Sequence, residues 1–196
     1  MLTFLGAAAL AFGAIFVAEF GDKSQLLILA FATRYAARPV VLGLILAAAI
    51  IQGASVAVGA LVGAALPTGA VAVVSGIAFL AVAAWTLRGE DDAEGEATTA
   101  TGERLAGVAL VLTVAGTFIL GELGDKTMLA TFALAASQGP VPTWIGSTAG
   151  EVAANLVAVV VGRQVGHRLS PRVVRIGSAL LFAVAGVAVL AGVVLD

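Results

Sequence analysis

The sequence predicts an all-α, polytopic membrane protein whose six transmembrane helices form two inverted three-helix repeats. Three observations carry that expectation. The chain is 61% hydrophobic and 11% charged over 196 residues, with a mean hydropathy of +1.11, whereas soluble domains carry about 25% charged residues. One charged motif is written twice, as Glu19-Phe20-Gly21-Asp22-Lys23-Ser24 and Glu122-Leu123-Gly124-Asp125-Lys126-Thr127, at an offset of 103 residues. The arginines, finally, lie only beside alternate loops.

Apolar stretches near residues 3–33, 40–64, 69–88, 105–136, 141–163 and 173–195 each approach the ~20 residues that cross a bilayer core. Met1-Leu2-Thr3 has no basic n-region and the first apolar run leads straight to Glu19, so a retained helix is expected rather than a cleaved signal peptide. Spans one and four are long because each encloses a motif, and an interruption is expected there. Pro39, Pro67, Pro140, Pro142 and Pro171 fall near span ends, where a missing backbone N–H is tolerated. Residues 89–104 are rich in Glu, Asp, Gly, Ala and Thr and read as a solvated tether, with cation sensing as the alternative. The expected organisation is therefore 1–88 as the first three-helix repeat, 89–104 as an acidic cytoplasmic linker, and 105–196 as the second repeat.

The offset of 103 persists outside the motif. It pairs Gly13 with Gly116, Leu26 with Leu129, Pro39 with Pro142, Gly43 with Gly146, Gly59 with Gly162, and Phe79 with Phe182. Three spans per half would make the second half enter the membrane from the opposite side, giving inverted repeats. Outside the motifs, the cations are Arg34, Arg38, Arg88, Arg104, Arg163, Arg168, Arg172 and Arg175. All lie in or beside the loops after spans one, three and five. By the positive-inside rule these loops are cytoplasmic and both termini lie outside.

The motif itself carries the chemistry. An isolated Asp or Lys at a helix centre costs ~3 kcal/mol, so the six ionised motif residues would cost roughly 15–20 kcal/mol unpaired. Facing one another across an internal cavity removes most of that burden. Glu and Asp three residues apart share a helix face, and the intervening Gly lets the chain leave helical geometry cheaply. Inverted symmetry would bring Glu19, Asp22, Glu122 and Asp125 together near the midplane, with the hydroxyls of Ser24 and Thr127 at matching places. An all-oxygen set suits Ca²⁺, Mn²⁺ or Mg²⁺ over Zn²⁺ or Cu⁺. Four carboxylates against Lys23 and Lys126 leave two negative charges, which one divalent ion or two protons would neutralise. Like charges crowded at low dielectric favour proton uptake, which points to proton–metal exchange.

These two are the only lysines in the chain. They read either as titratable cations that pair with the carboxylates after metal release or as static counter-charges, Lys23 standing four residues from Glu19. Gln25 and Met128 differ at matching positions, so the Gln25 amide oxygen is an expected extra ligand. Gln52 and Asn155 also match at the offset and would either line the ion path or bond between helices. Glu151, opposite Ala48 in the repeat, reads as a proton relay or as a residue of a water-filled vestibule. Trp85 and Trp144 read as interface anchors, and His167, among arginines, as solvated. The chain has no cysteine, which removes disulfides and thiolate ligands. No phosphate-binding loop or nucleophile constellation occurs, which argues against an ATP-driven pump or an enzyme.

The doubled Glu-x-Gly-Asp-Lys/Arg-Ser/Thr pattern resembles the Ca²⁺:cation antiporter family that includes Golgi, chloroplast and bacterial manganese and calcium transporters. Both motifs match at every defining position, and the three-plus-three layout covers essentially the whole chain. The resemblance implies exchange of Mn²⁺ or Ca²⁺ for protons, with the cation leaving the cytoplasm or entering a lumen. It also implies that Glu19, Asp22, Glu122 and Asp125 form the ion path. Expected partners are a divalent metal ion, protons and the lipid bilayer, with no nucleic acid and no cofactor beyond the transported ion. The expected location is a bacterial inner membrane, and the sequence leaves open whether the chain acts as a homo-oligomer. The competing readings are an exporter of small organic cations or amino acids on a similar scaffold, and a cation channel.

Overall fold

The computed structural model describes residues 3–20, 22–88, 106–165 and 171–195. The linker 89–104, His167 and the side chain of Lys23 lie outside the described residues. Among those described, the chain is helical throughout: α1 (Phe4–Glu19), α2 (Lys23–Arg34), α3 (Ala37–Ala65), α4 (Thr68–Arg88), α5 (Gly107–Glu122), α6 (Lys126–Gln138), α7 (Pro140–Val165) and α8 (Pro171–Leu195). The starts of α1 to α4 and of α5 to α8 are each 103 residues apart, so the spacing of the motif is also the spacing of the secondary structure.

Helices α3 and α4 are each long and apolar enough to cross a membrane, and α5 with α6, bent by 83° at a short break, makes a third candidate as one broken span. Thr3 caps α1, accepting from the Gly6 N–H at 3.2 Å. Pro140 and Pro171 occupy the first positions of α7 and α8, where the absent N–H has no intrahelical partner to lose. Polarity is distributed as a bilayer requires. Leu42, Ile50, Leu61, Leu180 and Val184 are exposed, while Gln52, Glu151 and Asn155 are buried, the reverse of a soluble protein.

The two halves interlock. Helix α1 lies along α7, α5 along α3, and α4 along α8. The close approaches are reciprocal. A Cβ at Gly43 would stand 2.8 Å from the Val111 carbonyl, and one at Gly146 would press on the Ala8 carbonyl. Residues 43 and 146, like 8 and 111, are 103 apart. At the α4–α8 contact Gly76 and Gly186 each lie against the other's carbonyl, a mutual approach between positions that do not match at the offset. Gly59 and Gly63 let α3 lie on the backbone of α6 at Phe132 and Ala136; helix packing is what this spacing serves. The apolar core forms two clusters, one around Ile15, Phe79 and Phe182 and the other around Leu44, Val114 and Phe118.

Candidate metal centre

At each motif the helix stops on the glutamate. Leu123 has φ −60° and ψ 121°, Gly124 has φ +82°, and the Asp125 N–H donates to the Glu122 carbonyl at 3.1 Å. This is a type II turn, whose third residue must adopt positive φ and is therefore glycine. The first motif repeats the pattern: Phe20 has φ −69° and ψ 119°, and the Asp22 N–H donates to the Glu19 carbonyl at 3.1 Å. Each Asp then starts a new helix, accepting on its carbonyl from the N–H of Gln25 or Met128 at 3.1 and 3.2 Å. The turn thus places one carboxylate at a helix C-terminus and the next at a helix N-terminus, three residues on.

The two turns meet. Glu19, Asp22, Glu122 and Asp125 each offer a carboxylate oxygen to a group whose members lie within 4.8 Å of one another. Their exposures are 0, 9, 3 and 5%. Glu19 Oε1 and Glu122 Oε2 are buried without a hydrogen-bond partner among the described residues. Two unit charges at that separation repel by about 3–4 kcal/mol at an effective dielectric of 20, so the group requires positive charge from a cation or from protons. One source is internal, because Lys126 Nζ lies 3.2 Å from Asp22 Oδ2. The ion pair therefore crosses between the motifs, from Lys of the second to Asp of the first, rather than closing within one.

The supporting residues divide unevenly. Ser24 Oγ donates to Glu19 Oε2 at 3.1 Å and orients that carboxylate. Thr127 is buried in the first turn of α6. Gln25 turns its nitrogen, not its oxygen, to the backbone, donating to the Glu19 carbonyl at 2.9 Å and to the Ala154 carbonyl of α7 at 3.4 Å. It thereby adds a second donor to a carbonyl that already closes the turn by accepting from the Asp22 N–H. Met128, its match in the repeat, serves the other turn by a different bond, its Sδ accepting from the Gly124 N–H at 3.1 Å.

Beside the four acids stands a fifth. Glu151, 1% exposed on α7, interacts electrostatically with Glu19, Glu122 and Asp125. Gln52 Nε2 on α3 donates to Glu151 Oε2, and Gln52 Oε1 accepts from Thr131 Oγ1 on α6 at 2.6 Å. Gln52 is thus an interhelical bridge. Asn155 donates to the Glu151 carbonyl at 3.0 Å, within its own helix. Thr131 did not emerge from the sequence, because its match at the offset is Ile28; its place four residues after Thr127, on the same helix face, was the available signal. Trp144, an expected interface anchor, donates its indole N–H to the Ala49 carbonyl of α3 at 3.0 Å.

A family model described as the divalent cation/proton antiporter GDT1 matches residues 7–94 and 110–195. A Vibrio cholerae protein, named provisionally as a manganese exporter, is 29% identical over 177 residues, covering 89% of this chain and 85% of that protein. GDT1-like protein 1, chloroplastic, of Oryza sativa subsp. indica is 40% identical over 84 residues, covering 41% of this chain and 25% of the rice protein. GDT1-like protein 2, chloroplastic, of Oryza sativa subsp. japonica is 29% identical over 209 residues, covering 93% of this chain and 60% of that protein. The match thus spans a quarter and three-fifths of the two plant relatives. No solved structure matches the chain.

Proposed function

The chain belongs to the GDT1 divalent cation/proton antiporter family, and from that premise we propose that it exchanges Mn²⁺ or Ca²⁺ for protons, moving the metal out of the cytoplasm. The observation that carries this reading is the group of four buried carboxylates drawn from both motifs. An acceptor-only oxygen set suits a hard or borderline divalent ion, and it has no thiolate or imidazole to favour Zn²⁺ or Cu⁺. The mutual repulsion of the acids makes the site exchange one form of positive charge for another instead of standing empty. The Vibrio relative's name favours Mn²⁺ as the physiological cargo.

In this reading Glu19, Asp22, Glu122 and Asp125 ligate the ion. Ser24 and Thr127 bring hydroxyls beside them, Gln25 holds the first turn, and Lys126 is the counter-charge when metal is absent. Lys23 plays the matching part in the first motif. Helices α1 with α2 and α5 with α6 act as broken spans, so that 1–88 and 105–196 are inverted three-span repeats joined by a cytoplasmic linker. The equal helix offsets and reciprocal glycine contacts support that arrangement. The alternate-loop arginines support both termini outside, and the chain's setting is a bacterial inner membrane.

The test is flux in proteoliposomes under an imposed pH gradient, with Mn²⁺, Ca²⁺ and Mg²⁺ compared. Vesicles acidic inside should accumulate Mn²⁺ as protons leave, and collapsing the gradient should stop accumulation. Metal binding should weaken from about pH 8 to about pH 5.5, because protons compete for the same oxygens. Flux indifferent to the gradient would overturn the exchange reading in favour of a channel.

A further inference from the structure

Helix α7 carries four buried polar side chains at intervals of four residues: Thr143, Ser147, Glu151 and Asn155, all 0–1% exposed. At 1.5 Å per residue the row runs about 18 Å along the helix, from its first turn to the neighbourhood of the carboxylates. Three of the four carry an oxygen without a hydrogen-bond partner among the described residues: Thr143 Oγ1, Glu151 Oε1 and Asn155 Oδ1. Ser147 Oγ, between them, donates to the Trp144 carbonyl at 3.3 Å and keeps its lone pairs to accept; buried oxygens left open are ordinarily satisfied by ordered water. The matching row of the first half is Val40, Leu44, Ala48 and Gln52, equally buried but apolar up to its last member. The duplication has therefore left one polar row and one that is apolar up to its last member.

We infer that the α7 row is a water-bridged proton path into the metal centre, distinct from the route of the metal; this rests on the exchange reading above. Rungs of ~6 Å are bridged by single waters, along which a proton passes by successive hydrogen-bond exchange, each oxygen accepting one proton and releasing another. A divalent ion needs six or more oxygens around it, and the row supplies about one per turn. Gly146 and Gly150, between the rungs, lie against the backbone of α1 at Ala8 and Phe12. Glu151 is the last ionisable stop, held by Gln52 within electrostatic reach of Glu19 and Asp125. With the orientation read from the arginines, the path opens at the α6–α7 turn on the non-cytoplasmic side.

The experiment compares two activities of the same proteoliposomes: Mn²⁺-driven proton movement, read with a trapped pH dye, and exchange of isotopic Mn²⁺ against unlabelled Mn²⁺, which needs no net proton movement. Thr143→Val with Ser147→Ala should lower the first by about tenfold or more and leave the second within about twofold. Glu151→Gln should separate the two activities in the same direction. Retained metal–metal exchange is itself the proof that the variants are folded. Normal proton movement in the Thr143→Val, Ser147→Ala variant would overturn the path, as would equal loss of both activities in every variant that remains folded by circular dichroism. Metal–metal exchange without any proton movement in the parent chain would overturn the exchange reading itself.

Discussion

The glycine of the second motif separates two reasons for a glycine: conformation and space. Gly124 has φ +82°, yet a Cβ added there would meet nothing within 4 Å. Gly124→Ala therefore causes no clash, and its whole cost is that of holding an L-residue in the left-handed region, about 1–2 kcal/mol. That cost falls on the closed turn, in which Glu122 and Asp125 stand together as ligands. Affinity for Mn²⁺ should accordingly drop roughly 5–30-fold, measured by calorimetric titration of the purified protein. Gly124→Asn should fall between parent and Ala, because Asn tolerates positive φ better than other residues with a Cβ. Gly146→Ala makes the contrast, because the added methyl would press on the Ala8 carbonyl. Overpacking of that kind costs about 1–3 kcal/mol of stability and should lower the unfolding temperature more than the Mn²⁺ affinity. An alanine at 124 that binds metal as the parent does, or an asparagine worse than alanine, would refute the turn as the device that sets the ligand spacing.

Three further outcomes are expected. Glu19→Gln and Glu122→Gln should each abolish or severely reduce exchange, and the double variant should be little worse than either, since ligands of one ion act as a unit; near-normal transport by one of them would exclude a shared site. Lys126→Gln removes the cation 3.2 Å from Asp22, so thermal unfolding should show the metal-free protein destabilised by on the order of 3 kcal/mol and rescued by Mn²⁺. Equal destabilisation with and without saturating Mn²⁺ would exclude Lys126 as a stand-in for metal. Single cysteines in this cysteine-free chain, at Glu94 and at Asp196, should be labelled from opposite sides of the membrane, and labelling from one side would refute the inverted arrangement.

What the sequence disclosed and what it concealed follow from the range of the interactions. The helix offsets were legible because duplication is written in sequence order, and the turn was legible because positive φ demands glycine within a short window. The meeting of four acids could be argued from symmetry. The sharp bend was not: its angle arises from packing, and a break of three residues hardly alters an apolar stretch. The ion pair was also hidden. Sequence proximity favours Lys23 with Glu19, whereas Lys126 reaches Asp22 across the interface, a partner no local spacing indicates. Gln25 was legible as polar, but the bonds of its nitrogen to the Glu19 and Ala154 carbonyls were not, because they depend on the turn and on α7 lying alongside. Thr143 and Ser147 escaped notice because hydroxyls in apolar helices commonly bond their own preceding turn. That Thr143 Oγ1 makes no such bond is visible only in three dimensions.

The positions at which the halves agree and disagree divide along chemical lines. Both copies contribute a Glu and an Asp to the cluster, as a spherical ion approached from two sides would require. One group of departures from symmetry lies around Glu151, where Ala48, Ile28, Val40 and Leu44 stand opposite Glu151, Thr131, Thr143 and Ser147. A symmetric centre alone treats its two charge carriers alike, because every oxygen that binds metal also binds a proton. Exchange needs the proton to arrive when the metal leaves, and a route open to one carrier and closed to the other provides that difference. Divergence along one row of α7 and its partners would do so while leaving the four acids matched. The test of this logic is the reciprocal graft: Leu44→Ser with Ala48→Glu should give the apolar row of α3 a second proton route, and exchange should then leak, with protons crossing in the absence of Mn²⁺. A grafted chain that folds, carries Mn²⁺ and remains proton-tight would show that the polar row alone does not make the path.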